Sequence, residues 1–457
     1  MSEENISPEL NYSIVKNNHS TTVFRKISPQ GISTAIALSS SASVGSYDFI
    51  LPPSVMNLSK SRLTFQLQLP VPVTTVNANW LNANLLTILS RVVIYDSATN
   101  ALLMDVSNME KYASLVSCSS TSFAEFSTKA QGPVGGNILG AVDATSQLYP
   151  YEDIGKVNST SNPTGDNINL GTTNSYMGRK QLFVGADVAV AYIDVSIPFS
   201  AFKHTIMALD RDIYSPSNLA LQLYFNSTDN FAWNAKSITV PSTTVTSVNT
   251  GALINNLSIQ LANEGNLAIV SQVIARVMGE GVSIPIAYPT VTRQAISASS
   301  AHSYQISLTK GYGQRILCIL SAPFSAAAGV NLRNVHARDN LSTYQTTLNN
   351  SPIKYPNGFN CLVGEDFYYG NREYFEGSAL QSIGEYISGE WLHCDSFVGE
   401  IPLHQLDQTK VDGLDVGTQS AVWQIQANLS TSTAYTWIST IIGQKLVTFS
   451  SSGTMIQ

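Results

Sequence analysis

The sequence predicts an all-β protein, and three observations carry that prediction. Charged residues fill only 12% of its 457 positions, so Glu, Lys and Arg, which favour helices, are scarce. β-Branched and aromatic residues recur in short runs set between turn residues. A clear helical period occurs in one stretch, residues 267–278. Hydrophobic residues make up 44% of the chain, which is enough for real cores and excludes disorder as the reason for the low charge. A chain of this length implies two or three domains.

The helical stretch sits inside residues 255–286, which read as strand, helix and strand. Leu257, Ile259 and Leu261 alternate with Ser258 and Gln260, the pattern of a half-buried strand. Asn266 is placed to cap the helix, and Val270, Val273, Ile274, Val277 and Met278 form one apolar stripe. Arg276 suits the negative end of the helix dipole, and Gly279 is the expected left-handed C-cap. About 250 residues of β-type pattern precede this seam and about 180 follow, a natural two-domain division. The expected units are an arm at 1–30, a first domain at 31–265, a linker helix at 266–282 and a second domain at 283–457.

Taken in order, residues 1–30 are polar and aperiodic, an arm expected to order only against a neighbour. Residues 62–69 form an alternating strand with Leu63, Phe65, Leu67 and Leu69 on one face. Residues 85–95 and 101–106 read as a hairpin around 96–100, after which Asn108 can cap a short helix at 109–116. Residues 127–180 hold Gly132, Gly135, Gly136, Gly140, Gly155, Gly165 and Gly171 with almost no period. So long a connection is expected to project as a tower or lid. Its glycines lack phosphate-binding spacing. Strand character resumes at 181–184, 188–199 and 219–225. Between the last two, Asp210 and Asp212 flank Arg211, which reads as a satisfied ion pair rather than a catalytic dyad. The second half continues with strands at 284–296, 302–308 and 314–320, a hairpin at 331–348, and a loop with a short helix at 371–386. Late strands follow at 389–397, 421–427 and 445–450.

Several functions are disfavoured by composition. The net charge is −7, and Lys16, His19, Arg25 and Lys26 are interspersed with Glu3, Glu4 and Glu9, so no basic arm for nucleic acid exists. Cys118, Cys318, Cys361 and Cys394 have no Cys-x-x-Cys spacing and read as reduced thiols. His393 and Cys394 are adjacent, hence on opposite faces of a strand, so they make no metal pair. Neither a metal site, a cofactor nor a catalytic residue is expected, and the chain is not expected to be an enzyme. No secretory signal and no membrane-length apolar run is read. The Asn-x-Ser/Thr triplets at Asn57, Asn226 and Asn340 are ascribed to an Asn- and Ser-rich composition. So weakly charged a surface offers little protection against self-association and suggests burial against copies of the same chain.

A set of second-half segments then falls in a recognisable order: 344–350 (YQTTLNN), 372–375 (REYF), 396–403 (SFVGEIPL), Gly413 and 423–429 (WQIQANL). This order resembles the C-terminal jelly roll of double jelly-roll major capsid proteins, found in tailless membrane-containing phages, virophages, polinton-like viruses and large nucleocytoplasmic DNA viruses. Residues 49–52 (FILP) and 62–67 (RLTFQL) are similar to the opening strands of the N-terminal roll, and 257–281 fits the linker between rolls. The chain departs from large-virus members at 409–415 (TKVDGLD). The resemblance covers residues 45–450 and implies two jelly-roll β-sandwiches joined by a short helix, with long loop insertions. It implies a homotrimer forming a pseudo-hexameric capsomer that tiles an icosahedral virion shell. Penton proteins, minor capsid proteins and an internal membrane reached by the N-terminal arm are the implied partners.

Two other readings compete. A carbohydrate-binding sandwich of a viral spike or adhesin could stack sugars on Trp80, Trp233, Tyr368 or Tyr369. A glycoside hydrolase or lyase would have to rely on scattered carboxylates such as Glu365, Asp366 and Glu376.

Overall fold

The computed structural model describes residues 19–31, 35–70, 78–82, 85–113, 116, 120, 137–142, 148–149, 181–184, 190–239, 242–248, 250–308, 312–321, 341–353, 359–360, 392–398, 405, 413–416 and 421–456. Strands dominate. An eight-stranded sheet runs in spatial order Thr22–Ile27, Leu253–Glu264, Val55–Pro70, Val190–Pro198, Asn137–Val142 and Leu148–Tyr149, with Ile36–Ala37 and Asp212–Tyr214 paired at its side. A four-stranded sheet runs Val44–Leu51, Leu219–Phe225, Leu89–Asp96, Leu102–Ser107. Their inner faces share one core, where Phe65 of the first meets Phe225 of the second edge-on at 6.2 Å. The period-two pattern explains this packing: Leu63, Phe65, Leu67 and Leu69 are all buried while Thr64, Gln66 and Gln68 are not. Each such side chain contributes about 1.5–3 kcal/mol by leaving water. Another four-stranded sheet runs Gln181–Val184, Ala78–Asn82, Ala232–Thr239, Ser242–Val248.

The second half is built on one strand, Val422–Ser450, the spine of a nine-stranded sheet. Val282–Ser307 runs antiparallel along one edge of it, from Val282 opposite Phe449 to Ser307 opposite Val422. Leu341–Leu348, Tyr312–Ser321 and Gly453–Ile456 share its other edge. The long ladder shifts register between Ile296 and Ala301, so each long strand is divided into two arms. One arm contributes Ile284, Ile286, Ile438, Ile442, Val447 and Phe449 to the same core as the first half. The other joins Tyr304, Ile306, Trp423 and Ile425 in a separate, aromatic-rich core.

The helix Leu267–Gly279 forms as expected, with Asn266 Oδ1 accepting from Ala268 N at 3.0 Å. Its left-handed position falls on Gly281 (φ 75°) rather than Gly279, because Glu280 still continues the right-handed turn. Only Val277 of this helix is buried, and Leu267 is 79% exposed.

Other expectations shift in place. Thr22–Ile27 pairs with Leu253–Glu264 of its own chain, so this part of the 1–30 arm is already ordered without a neighbour. Within the 127–180 insertion, Asn137–Val142 adds to the eight-stranded sheet beside Val190–Pro198 instead of projecting as loop. The helix after Asn108 spans Met109–Tyr112, and Asn108 itself has φ 51°, outside the extended conformation of an N-cap. The late strands 421–427 and 445–450 are one continuous strand. Of the expected hairpin at 331–348, residues 331–340 lie outside the described residues; Leu341–Leu348 turns through Asn349 and Asn350, both at positive φ, into Ser351–Pro352. Residues 371–386 lie outside the described residues.

Candidate functional site

The polar side chains that the fold brings together are mostly interior. On Leu392–Ser396, His393 and Asp395 are two residues apart and therefore share a face, while Cys394 turns to the larger core. His393 Nε2 lies 3.0 Å from Asp395 Oδ1, and His393 Nδ1 lies 3.0 Å from the Tyr344 hydroxyl. Trp423 Nε1 donates to Asp395 Oδ2 at 2.7 Å, and Thr346 Oγ1 to Oδ1 at 3.4 Å. Nearby, Trp437 Nε1 donates to His302 Nδ1 at 3.1 Å. All seven of these residues are buried. A carboxylate beside an imidazole is a general-base geometry, but here both groups are fully buried and bonded to Trp423 and Tyr344, which suits an internal tie. Sequence reasoning missed this network, although the i, i+2 spacing of His393 and Asp395 on a strand was the available signal.

Ser120 Oγ and His204 Nε2 make another pair at 2.8 Å, resembling a nucleophile and its base. Both residues are buried, which suits a structural bond more than attack on a substrate. Asp210 and Asp212 do converge, but on Asn57 rather than on Arg211. The Asn57 amide donates to Asp210 Oδ1 at 3.1 Å and to Asp212 Oδ1 at 3.2 Å, because Asp212–Tyr214 pairs with Val55–Pro70 and puts Asp212 opposite Asn57. Among the described residues no group of three or more His, Cys, Asp or Glu could hold a metal, and no helix is long and apolar enough to cross a membrane. Glu365, Asp366, Glu376, Tyr368 and Tyr369 lie outside the described residues. Trp80 and Trp233 are brought directly opposite each other on paired strands.

The accessible candidate is a surface. The outer strand Thr22–Ile27 exposes both Val23 and Phe24, each by 53%, and it starts beside the helix that exposes Leu267 and Met278. Glu264 holds these two elements together. Its carboxylate accepts from Ser20 Oγ at 2.5 Å, Thr21 N at 2.8 Å and Asn266 N at 2.7 Å, while Asn266 Nδ2 donates to the His19 carbonyl at 3.0 Å. Slight burial pushes the Glu264 carboxyl up, but these bonds outweigh it and hold it below the ordinary carboxylate range. A depressed value means that the tie is complete above the unfolded carboxyl range and is lost as pH falls through the folded value. Glu264→Gln is therefore expected to loosen residues 19–27 at neutral pH, read as faster tryptic cleavage after Arg25 and Lys26. Unchanged cleavage would show that the strand ladder alone holds the segment.

No protein-family model matches this chain, and no curated protein matches it by sequence. Solved structures do match it in fold. A chain of the Sputnik virophage structure superposes with a TM-score of 0.53 at 9% identity, covering 99% of this chain and 92% of that one. The Faustovirus major capsid protein gives a TM-score of 0.52 at 10% identity over 97% of this chain and 93% of its own. The PBCV-1 VP54 structure fitted into a reconstruction of the Sputnik virophage gives 0.52 at 9% identity over 97% and 98%. The fold is that of the double jelly-roll capsid proteins.

Proposed function

We propose that this chain is a viral major capsid protein, located in the virion shell, whose homotrimer forms a pseudo-hexameric capsomer. The observation that carries the proposal is a fold match running nearly end to end with the Faustovirus major capsid protein, over 97% of this chain and 93% of that one. The surface chemistry supports it: few charges have to be desolvated when such surfaces mate, and Val23, Phe24 and Leu267 stand exposed where apolar contact with another copy would cover them. In this reading residues 31–265 and 283–457 supply one roll each, the 266–282 segment links them, and the role is structural rather than catalytic. Penton and minor capsid proteins are the proposed further partners, and the N-terminal segment is the proposed contact with an internal membrane.

Native mass tests the proposal. Three chains of 49.3 kDa form a closed ring of about 148 kDa. Light scattering on a size-exclusion column is expected to give that mass, with hexagonal outlines under negative stain. A monomer at all concentrations would overturn it.

A further inference from the structure

The helix Leu267–Gly279 is less covered than its composition calls for. Nine of its 13 residues are apolar and run all round the axis, yet only Val277 is buried, with Val273 packed partly against the main core. A helix apolar on every side is normally covered on every side. Leu267, Ser271, Ile274 and Met278 follow at steps of four, three and four, the alternation that sets one row along a helix flank. Leu267 is 79% exposed and Met278 44%, while Ser271 is exposed and Ile274 half-buried. The Ser271 hydroxyl is turned back onto its own helix, donating to the Leu267 carbonyl at 2.8 Å. Ala268 and Ala275 beside the row are exposed and small enough to admit another helix closely. Arg276, the one charged residue of the helix, stands about 180° around the axis from Leu267. At the N-terminal end Val23 extends the apolar surface, since a Cβ on Gly265 would stand 2.8 Å from Val23 Cγ2.

We propose that this row is a docking seam for the same helix of a second copy, the two helices lying antiparallel across a two-fold axis. Antiparallel pairing sets Leu267 against Met278 of the partner and Ser271 against Ile274 of the partner, so that a small side chain meets a large one at the centre. Parallel pairing would set serine on serine and leave a gap there. The antiparallel arrangement also opposes the two helix dipoles. Charge identifies the occupant. The seam carries none, so two copies of it meet with no like-charge repulsion and no ion to desolvate. A helix that lies on a lipid surface would flank its apolar row with Lys or Arg, and this helix has neither there. Size sets the role. A 13-residue helix is about 20 Å long and about 10 Å across, so pairing buries on the order of 200 Å² per copy. A stable two-chain complex buries about 800 Å² per partner. The seam is therefore a weak contact that many copies make at once, as between neighbouring capsomers, and in that placement alone it rests on the capsid reading.

The test uses the full chain, a short bis-maleimide and cysteines placed in the seam, with the wild type as background. Leu267→Cys alone or Met278→Cys alone keeps the two thiols of an antiparallel pair about 16 Å apart, whereas the double variant brings them together. Denaturing electrophoresis is expected to show a two-chain band of about 99 kDa, about fivefold or more stronger in the double variant than in either single one. Leu267→Glu, at a position too exposed to matter for folding, is expected to abolish concentration-dependent association in light scattering and to leave the capsomer mass unchanged. No two-chain band above background would overturn the proposal, as would single variants that cross-link as well as the double one. Association unmoved by Leu267→Glu would overturn it too. Binding to phosphatidylcholine vesicles that Leu267→Glu removes would overturn it in favour of a lipid surface. Pairing needs only two copies, so a strong band in a protein of monomeric mass would uphold the seam while the trimer fails, and a trimer without the band would do the reverse.

Discussion

Asp395→Ala is expected to destabilise the protein by about 3–5 kcal/mol, the penalty for removing one member of a buried, hydrogen-bonded polar network. The carboxylate is fully buried and is the acceptor for Trp423 Nε1, and it faces both His393 and Thr346. Its loss leaves the Trp423 indole N–H and the Thr346 hydroxyl without this acceptor in a buried, aromatic core. Asp395→Asn keeps the shape and one acceptor oxygen, so the expected loss is smaller, about 1–2 kcal/mol. Urea titration followed by tryptophan fluorescence measures both, because Trp423 and Trp437 belong to that core. A loss below about 1 kcal/mol for Asp395→Ala would mean that the network is held by packing alone.

Asp96→Ala is expected to cost about 2–4 kcal/mol and to release the C-terminal strand Gly453–Ile456. Asp96 is buried at the end of strand Leu89–Asp96. One oxygen accepts from Ala98 N at 2.8 Å and Thr99 N at 3.3 Å, closing the hairpin turn that the sequence marks at 96–100. The other accepts from Ser217 Oγ and Thr454 Oγ1, both at 2.5 Å. Gly453 permits this approach: it has φ 104°, and a Cβ there would stand 2.5 Å from Thr99 Cγ2. Burial pushes the Asp96 carboxyl up, but the four hydrogen bonds overcome it, so its pKa is held below the ordinary value. For a depressed group the stability is fully present above the unfolded value of about 4 and is lost as pH falls through the folded value. The wild type should therefore lose stability below about pH 4 by an increment that Asp96→Asn lacks. Parallel acid titrations of the two would contradict this assignment.

How much of this was legible in the sequence follows from the range over which each feature is encoded. The strand at 62–69, the hairpin turn at 96–100 and the helix capped by Asn266 are local patterns, and each forms at its expected place. The continuity of Val422–Ser450 was hidden because residues 430–434 are small and mostly polar, which reads as loop, although pairing of Thr433 with Ser299 and of Asn428 with Ala301 on the facing strand carries the chain through as strand. The ties of Asp395 to Trp423 and of His393 to Tyr344 join strands that no sequence period connects. The Trp80–Trp233 juxtaposition likewise exists only once the strands have chosen their register.

The Asp96 contact with Thr454 spans 358 residues, so it sets an order of events during synthesis. A ribosome making this chain exposes the Asp96 hairpin long before its last hydroxyl donor emerges. Until then the carboxylate keeps three of its four donors, and the first half waits in a less stable form. Nascent chains interrupted before residue 454 would carry this open latch and be the readier substrates for proteolysis, so the contact reports that translation has passed that point.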